Sequence, residues 1–116
     1  MDLIRWKLAE KAMTGPIPGL LNVAIDIDPD EAMVTVDLRD NIDCIDAGLN
    51  LTECTSTMAA AHGVLSCLGH DLPTNAGIMR RIKVLLRENC IVGIPKFPHS
   101  CSVATTNLTD IIINVT

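Results

Sequence analysis

Apolar and polar positions change rhythm several times along this chain, and each change predicts an element. From Asp2 to Met13 the apolar residues Leu3, Ile4, Leu8 and Ala12 recur at helical spacing between charges, which predicts a short amphipathic helix. Thr14-Gly15-Pro16-Ile17-Pro18-Gly19 ends it, because proline withholds an amide donor and glycine loosens the backbone. From Leu21 to Asp28 the rhythm is two, with Val23, Ile25 and Ile27 set against Asn22, Ala24 and Asp26, as in a strand with one wet face. Asp28-Pro29-Asp30-Glu31 has turn chemistry and Ala32 to Leu38 alternates again, so the two runs predict an antiparallel hairpin.

Arg39 to Asn50 reads as a loop rich in polar turn formers. Thr52 to Leu68 then reads as the longest helix, with Asn50 offering a capping oxygen and Glu53 three residues on. Met58, Ala61, Leu65 and Leu68 share its predicted apolar stripe, and Ala59, Ala60, Ala61 and Gly63 would let a neighbour approach closely. Gly69 to Gly77 is a turn-rich connection, Ile82 to Leu86 a third strand, and Ile91 to Ile94 a short apolar strand broken by Pro95 and Pro98. Ser102 to Thr116 begins as a helix with Leu108, Ile111, Ile112 and Val115 on one face, although the β-branched run Ile111-Ile112-Ile113 works against it. The last residues, Val115-Thr116, lie inside an apolar segment without a cap, which gives the expectation of a truncated chain.

Together these elements predict an α+β fold: a mainly antiparallel sheet, one central helix packed on a face, and shorter helices at the N- and C-terminal ends. The chain has 116 residues, enough for one domain or part of one, with residues 1–19 forming a helix and Pro/Gly linker and residues 20–116 the remainder. The composition is 48% hydrophobic with one Trp, one Phe and no Tyr, so the core is aliphatic. A formal charge of −5 and the lack of aromatic stacking platforms argue against nucleic-acid binding. No apolar run approaches the roughly 18 residues of a membrane span. Five scattered cysteines, an odd number with no secretory leader, predict reduced thiols and a cytoplasmic setting. They form no CxxC pair, so no metal site is expected. Asn-x-Thr triplets at Asn50, Asn107 and Asn114 carry no weight without secretion.

The candidate chemistry is concentrated between His70 and Cys101. Arg80, Arg81, Lys83 and Arg87 form a basic block suited to a carboxylate, bicarbonate or phosphate. Strand alternation places Arg81, Lys83 and, if the strand runs on, Arg87 on one wet face, where solvated charge or a subunit contact is the plainer reading. Asn75 and Gly77 can offer backbone amides to an anion or simply make the turn. His99 and Cys101 form a candidate reactive pair at the entrance of a helix, where the helix N-terminus would lower the thiol pKa. Buried structural cysteine is the alternative. His62 and His70 read as hydrogen-bonded or solvated, and Asp37, Asp40, Asp43 and Asp46 as a solvated loop rather than a cation site, since a calcium loop's glycine and terminal glutamate are missing.

The order of these features resembles the hydantoinase B/oxoprolinase family. The residues that carry the resemblance are Val36-Asp37-Leu38-Arg39-Asp40, Gly48-Leu49-Asn50, Pro73-Thr74-Asn75-Ala76-Gly77 and Arg81-Ile82-Lys83-Val84. RRIKVLLREN, VGIP and HSCSVATTNL are similar to the branch containing the large subunits of acetone and acetophenone carboxylases. The resemblance runs from about Val23 onward and covers only a fragment of the much longer family members. For a complete enzyme it implies an ATP-dependent reaction on a carbonyl or cyclic amide: ketone carboxylation, or hydrolysis of a hydantoin or 5-oxoproline ring. It implies hydantoinase A-like partner subunits that handle the nucleotide, with ATP and a divalent metal serving the complex and no cofactor expected on this chain. Activity alone is not expected, and self-association is the other partner expectation. Two further readings stand beside it: a non-catalytic scaffold module that keeps the fold, and a stand-alone small-molecule binder using the basic strand.

Overall fold

In a computed structural model, the described residues are 4–6, 21–69, 71–102 and 105–116. They form an α+β fold: strands β1 (Ile4–Trp6), β2 (Val23–Asp28), β3 (Met33–Asp37) and β4 (Ile82–Leu85), and helices α1 (Glu53–Cys67), α2 (Ala76–Met79) and α3 (Thr105–Val115). The sheet order is β1-β2-β3-β4, with two antiparallel pairs followed by a parallel one. The sheet is therefore mainly antiparallel, as its alternating strands predict.

The hairpin forms where alternation and turn residues place it. Ile25 pairs with Val36 and Ile27 with Val34, so apolar residues from both strands share one face. Asp28 Oδ1 accepts from the amides of Asp30 and Glu31, at 3.0 and 3.1 Å, and closes the turn. At the N-terminus the expected helix is corrected: Ile4–Trp6 is a strand, paired with Val23 to Ile25. Three residues extended against an edge satisfy their backbone through the sheet, and this long-range pairing overrides a local helical pattern. The rest of that predicted helix and the Pro/Gly linker lie outside the described residues.

After β3 the chain crosses over through α1 before returning as β4. Such a crossover permits parallel pairing, and Val34 stands beside Ile82 and Val36 beside Val84. Helix α1 starts one residue after its predicted start and ends one before its predicted end. Its cap is Thr52, whose side chain accepts from Thr55 N, and not Asn50. Its buried face is also corrected. Ser56, Ala59, Ala60, Ala61, Gly63 and Val64 turn inward, while Met58 and Leu68 are exposed. Small side chains let α1 sit close to its neighbour α3, and the larger apolar residues are pushed to the flank. A Cβ on Gly63 would fall 2.6 Å from Thr116 Cβ and 2.9 Å from the Ile113 carbonyl oxygen.

Helix α3 forms despite its β-branched run, because Leu108 and Ile112 enter the core. Thr116 Oγ1 and Thr116 N both reach the Ile112 carbonyl, at 2.8 and 2.9 Å, and satisfy one of the helix's last acceptors. The expected strand at Ile91–Ile94 is a turn-rich segment instead, with only isolated bridges pairing Asp43 with Cys90 and Glu88 with Ile94. Ile91 and Val92 still enter the core, beside Val23, Val36, Leu38 and Leu51, so their apolar character reports burial rather than a strand.

Candidate functional site

The Pro-x-Asn-x-Gly turn opens α2. Asn75 has extended backbone and its Oδ1 accepts from Gly77 N at 2.8 Å and Ile78 N at 3.3 Å. A Cβ at position 77 would meet that oxygen at 2.9 Å, so glycine is what lets the cap close. Of the two amides considered for anion binding, that of Gly77 is thus already held by the asparagine side chain. The turn itself is exposed from Pro73 through Gly77.

The basic block is divided by the fold. Arg80 and Arg81 are exposed between α2 and β4, and Lys83 is exposed within β4. Arg81 Nη1 donates to the Glu31 carbonyl at 3.2 Å, across to the hairpin turn. Arg87 stands apart from the other three. Its guanidinium donates to the carbonyls of Arg39 and Asn41, at 3.1 and 2.6 Å, and to Asp43 Oδ1 at 2.8 Å. It also reaches the carbonyls of Glu88 and Asn89. This planar fork staples residues 39–43 to residues 87–89, so Arg87 is a structural residue rather than a member of an open cationic face.

The four aspartates considered as a cation loop are likewise separated by their partners. Asp37 binds Arg39 through both carboxylate oxygens, Asp43 binds Arg87, and Asp46 lies beside His99. The side-chain bond from Arg39 holds the Asp37 carboxyl below its usual value, against a smaller opposing effect of burial. Asp40 is exposed. Among the described residues no group of three His, Cys, Asp or Glu side chains is placed to hold a metal ion.

A second cluster gathers residues 44–50 and 99–102. Asn50 is its hub and is fully buried. Its Oδ1 accepts from Ile45 N at 2.9 Å, and its amide donates to the carbonyls of Ile45, Ala47 and Ser100 at 3.0, 3.0 and 2.9 Å. Ser102 Oγ donates to the Gly48 carbonyl, and Leu49 bridges to Cys101. His99 Nδ1 is shut off from solvent 3.2 Å from Asp46 Oδ1, yet without hydrogen-bond geometry, so the contact is an ion pair only when the imidazole is protonated.

Cys101 sits in the same cluster, two residues from His99. Partial desolvation, with a smaller contribution from Cys44, raises its thiol pKa. This corrects the expected lowering: α3 begins at Thr105, four residues on, and the nearby influences on Cys101 oppose a thiolate. Cys90 is buried and its thiol is pushed up by desolvation as well, while Cys54 and Cys67 are exposed on α1. All five cysteines are unpaired. His62 is exposed on α1, and His70 lies outside the described residues.

Sequence reasoning missed Asn50 as an organising residue, and Asn41 with it. Asn41 Oδ1 accepts from Asn22 N, and its amide donates to the carbonyls of Asn22 and Leu38, each at 2.8 Å. The available signal for Asn50 was an amide flanked by Leu49 and Leu51, a polar residue in an apolar setting that calls for buried partners.

Compared with known families, the chain matches the model of the hydantoinase B/oxoprolinase family over residues 5–116. Neither the curated proteins nor the solved structures contain a match.

Proposed function

We propose that this chain, which belongs to the hydantoinase B/oxoprolinase family, is a subunit or fragment of an ATP-dependent enzyme acting on a carbonyl or a cyclic amide. The reaction class is biotin-independent ketone carboxylation, as in the acetone carboxylase branch, or ring opening of a hydantoin or 5-oxoproline. One observation carries the reading: the family match extends through residues 5–116, nearly the whole chain. It is supported by the intact Pro73 to Gly77 turn and the exposed Arg80, Arg81 and Lys83 that follow it.

In this reading the chain contributes scaffold and interface, and hydantoinase A-like subunits supply nucleotide handling. The described residues do not fit the divalent metal of a complete enzyme, since no three of their His, Cys, Asp or Glu side chains come together to hold it. Asn75, Gly77, Arg80, Arg81 and Lys83 serve an anion or a subunit contact, and His99 with Cys101 is the remaining candidate pair. No helix among the described residues is long and apolar enough to cross a membrane, and unpaired cysteines accord with a cytoplasmic setting.

A specific observation favours the alternative, a non-catalytic module with the family fold. Asn75 Oδ1 and Arg87, both suited to binding, are used for internal caps and staples. Native mass decides between the two. Purification from the source under mild conditions, then size exclusion with light scattering, is expected to give a large complex containing hydantoinase A-like chains and ATP-dependent carboxylation or ring-opening activity. A clean monomer or homo-oligomer without such partners would overturn the subunit reading in favour of the module.

A further inference from the structure

Among the described residues β4 ends the sheet, and its outer side is unpaired. Arg81 O and Leu85 O accept from Val34 N and Leu38 N, so these residues turn their backbone groups towards β3. Strand alternation turns Lys83 the same way and leaves the N–H and C=O groups of Ile82 and Val84 facing outward. Among the described residues nothing pairs with those outward groups. Both residues are only half-buried.

The side chains add a sign to this edge. Arg81 and Lys83 share the sheet face opposite Ile82 and Val84, which pack against the core. The side chains of Arg80 and Lys83 have no hydrogen bond or ion pair among the described residues, and Arg81 reaches only a neutral carbonyl. Three positive charges without carboxylate partners thus flank an open row of backbone donors and acceptors.

We propose that the outer edge of β4 docks an extended acidic segment of another polypeptide as an added strand. Alternation fixes its pattern: acidic residues on the face shared with Arg81 and Lys83, apolar residues on the face of Ile82 and Val84. Backbone bonds supply the attachment and the charges choose the partner. A second copy of β4 fits poorly, since it would bring two sets of Arg80, Arg81 and Lys83 to one seam. This inference does not depend on the activity of any complex.

Hydrogen exchange on the intact chain tests it, using a capped peptide of alternating Val and Glu, with alternating Val and Lys as control. The acidic peptide is expected to slow exchange at the amides of Ile82 and Val84, while Lys83 and Leu85, already bonded to β3, stay unchanged. Lys83→Glu, an exposed substitution, should weaken that peptide roughly tenfold. Equal protection by the basic peptide, protection elsewhere only, or protection from self-association without peptide would each overturn the proposal.

Discussion

Two buried polar residues show how partners decide what a side chain is worth. Asn50 and Ser56 are both fully buried, six residues apart. Asn50 has four hydrogen bonds and ties residues 45–47 to Ser100, whereas Ser56 Oγ has none among the described residues. Asn50→Ala should therefore lower stability by about 3 kcal/mol, because several backbone groups lose their partner at once. Ser56→Ala should raise it by about 1 kcal/mol, since an unmatched hydroxyl is removed from the core and helix propensity improves. Urea unfolding of both variants checks the pair, and a loss of stability in Ser56→Ala would show that its hydroxyl has a partner. The sequence marks both positions as polar within apolar surroundings. It does not reveal that one side chain meets Ser100, fifty residues away along the chain, because that contact exists only after the loops fold together.

At the level of elements, ends were harder to read than interiors. Thr52 rather than Asn50 caps α1 because the tertiary cluster draws Asn50 away from the helix. The end of β3 has its own electrostatic character. Asp37 pairs with Leu85 in the ladder and turns its carboxylate to Arg39. Since the folded state lowers the Asp37 pKa, this contribution is present above the unfolded value near 3.8 and is lost as pH falls through the lower folded value. Asp37→Asn should therefore flatten the acid side of the stability curve. Urea midpoints at pH 7 and pH 3 measure it, with a smaller drop expected in the variant. Parallel drops would assign the acid sensitivity to other carboxylates.

At the scale of the molecule, α1 packs on α3 and on β4, and residues of both helices share one core with the sheet. Gly63 permits the contact with α3, for a methyl group there would press on Thr116 and on the Ile113 carbonyl. Gly63→Ala gains helix propensity but overpacks this crossing, and the overpacking should prevail by about 2 kcal/mol. A lowered urea midpoint in Gly63→Ala, recovered in part by Thr116→Gly, which removes the Cβ it meets at 2.6 Å, would confirm that the side chain at 116 sets the limit. An unchanged midpoint in the single variant would mean that the helix end moves aside without cost.

The sequence by itself determined the hairpin, the span of α1, the apolar face of α3 and the family, because alternation, helical spacing and turn residues act over a few neighbours. Tertiary structure alone decided that Ile4–Trp6 joins the sheet, that β4 pairs parallel to β3, and that Ile91 and Val92 fill the core without forming a strand. It also separated Arg87 from Arg80, Arg81 and Lys83, turning one basic block into a half-buried staple and an open edge. These outcomes depend on which distant backbone groups and charges meet, and such pairing energies leave no local period in the sequence.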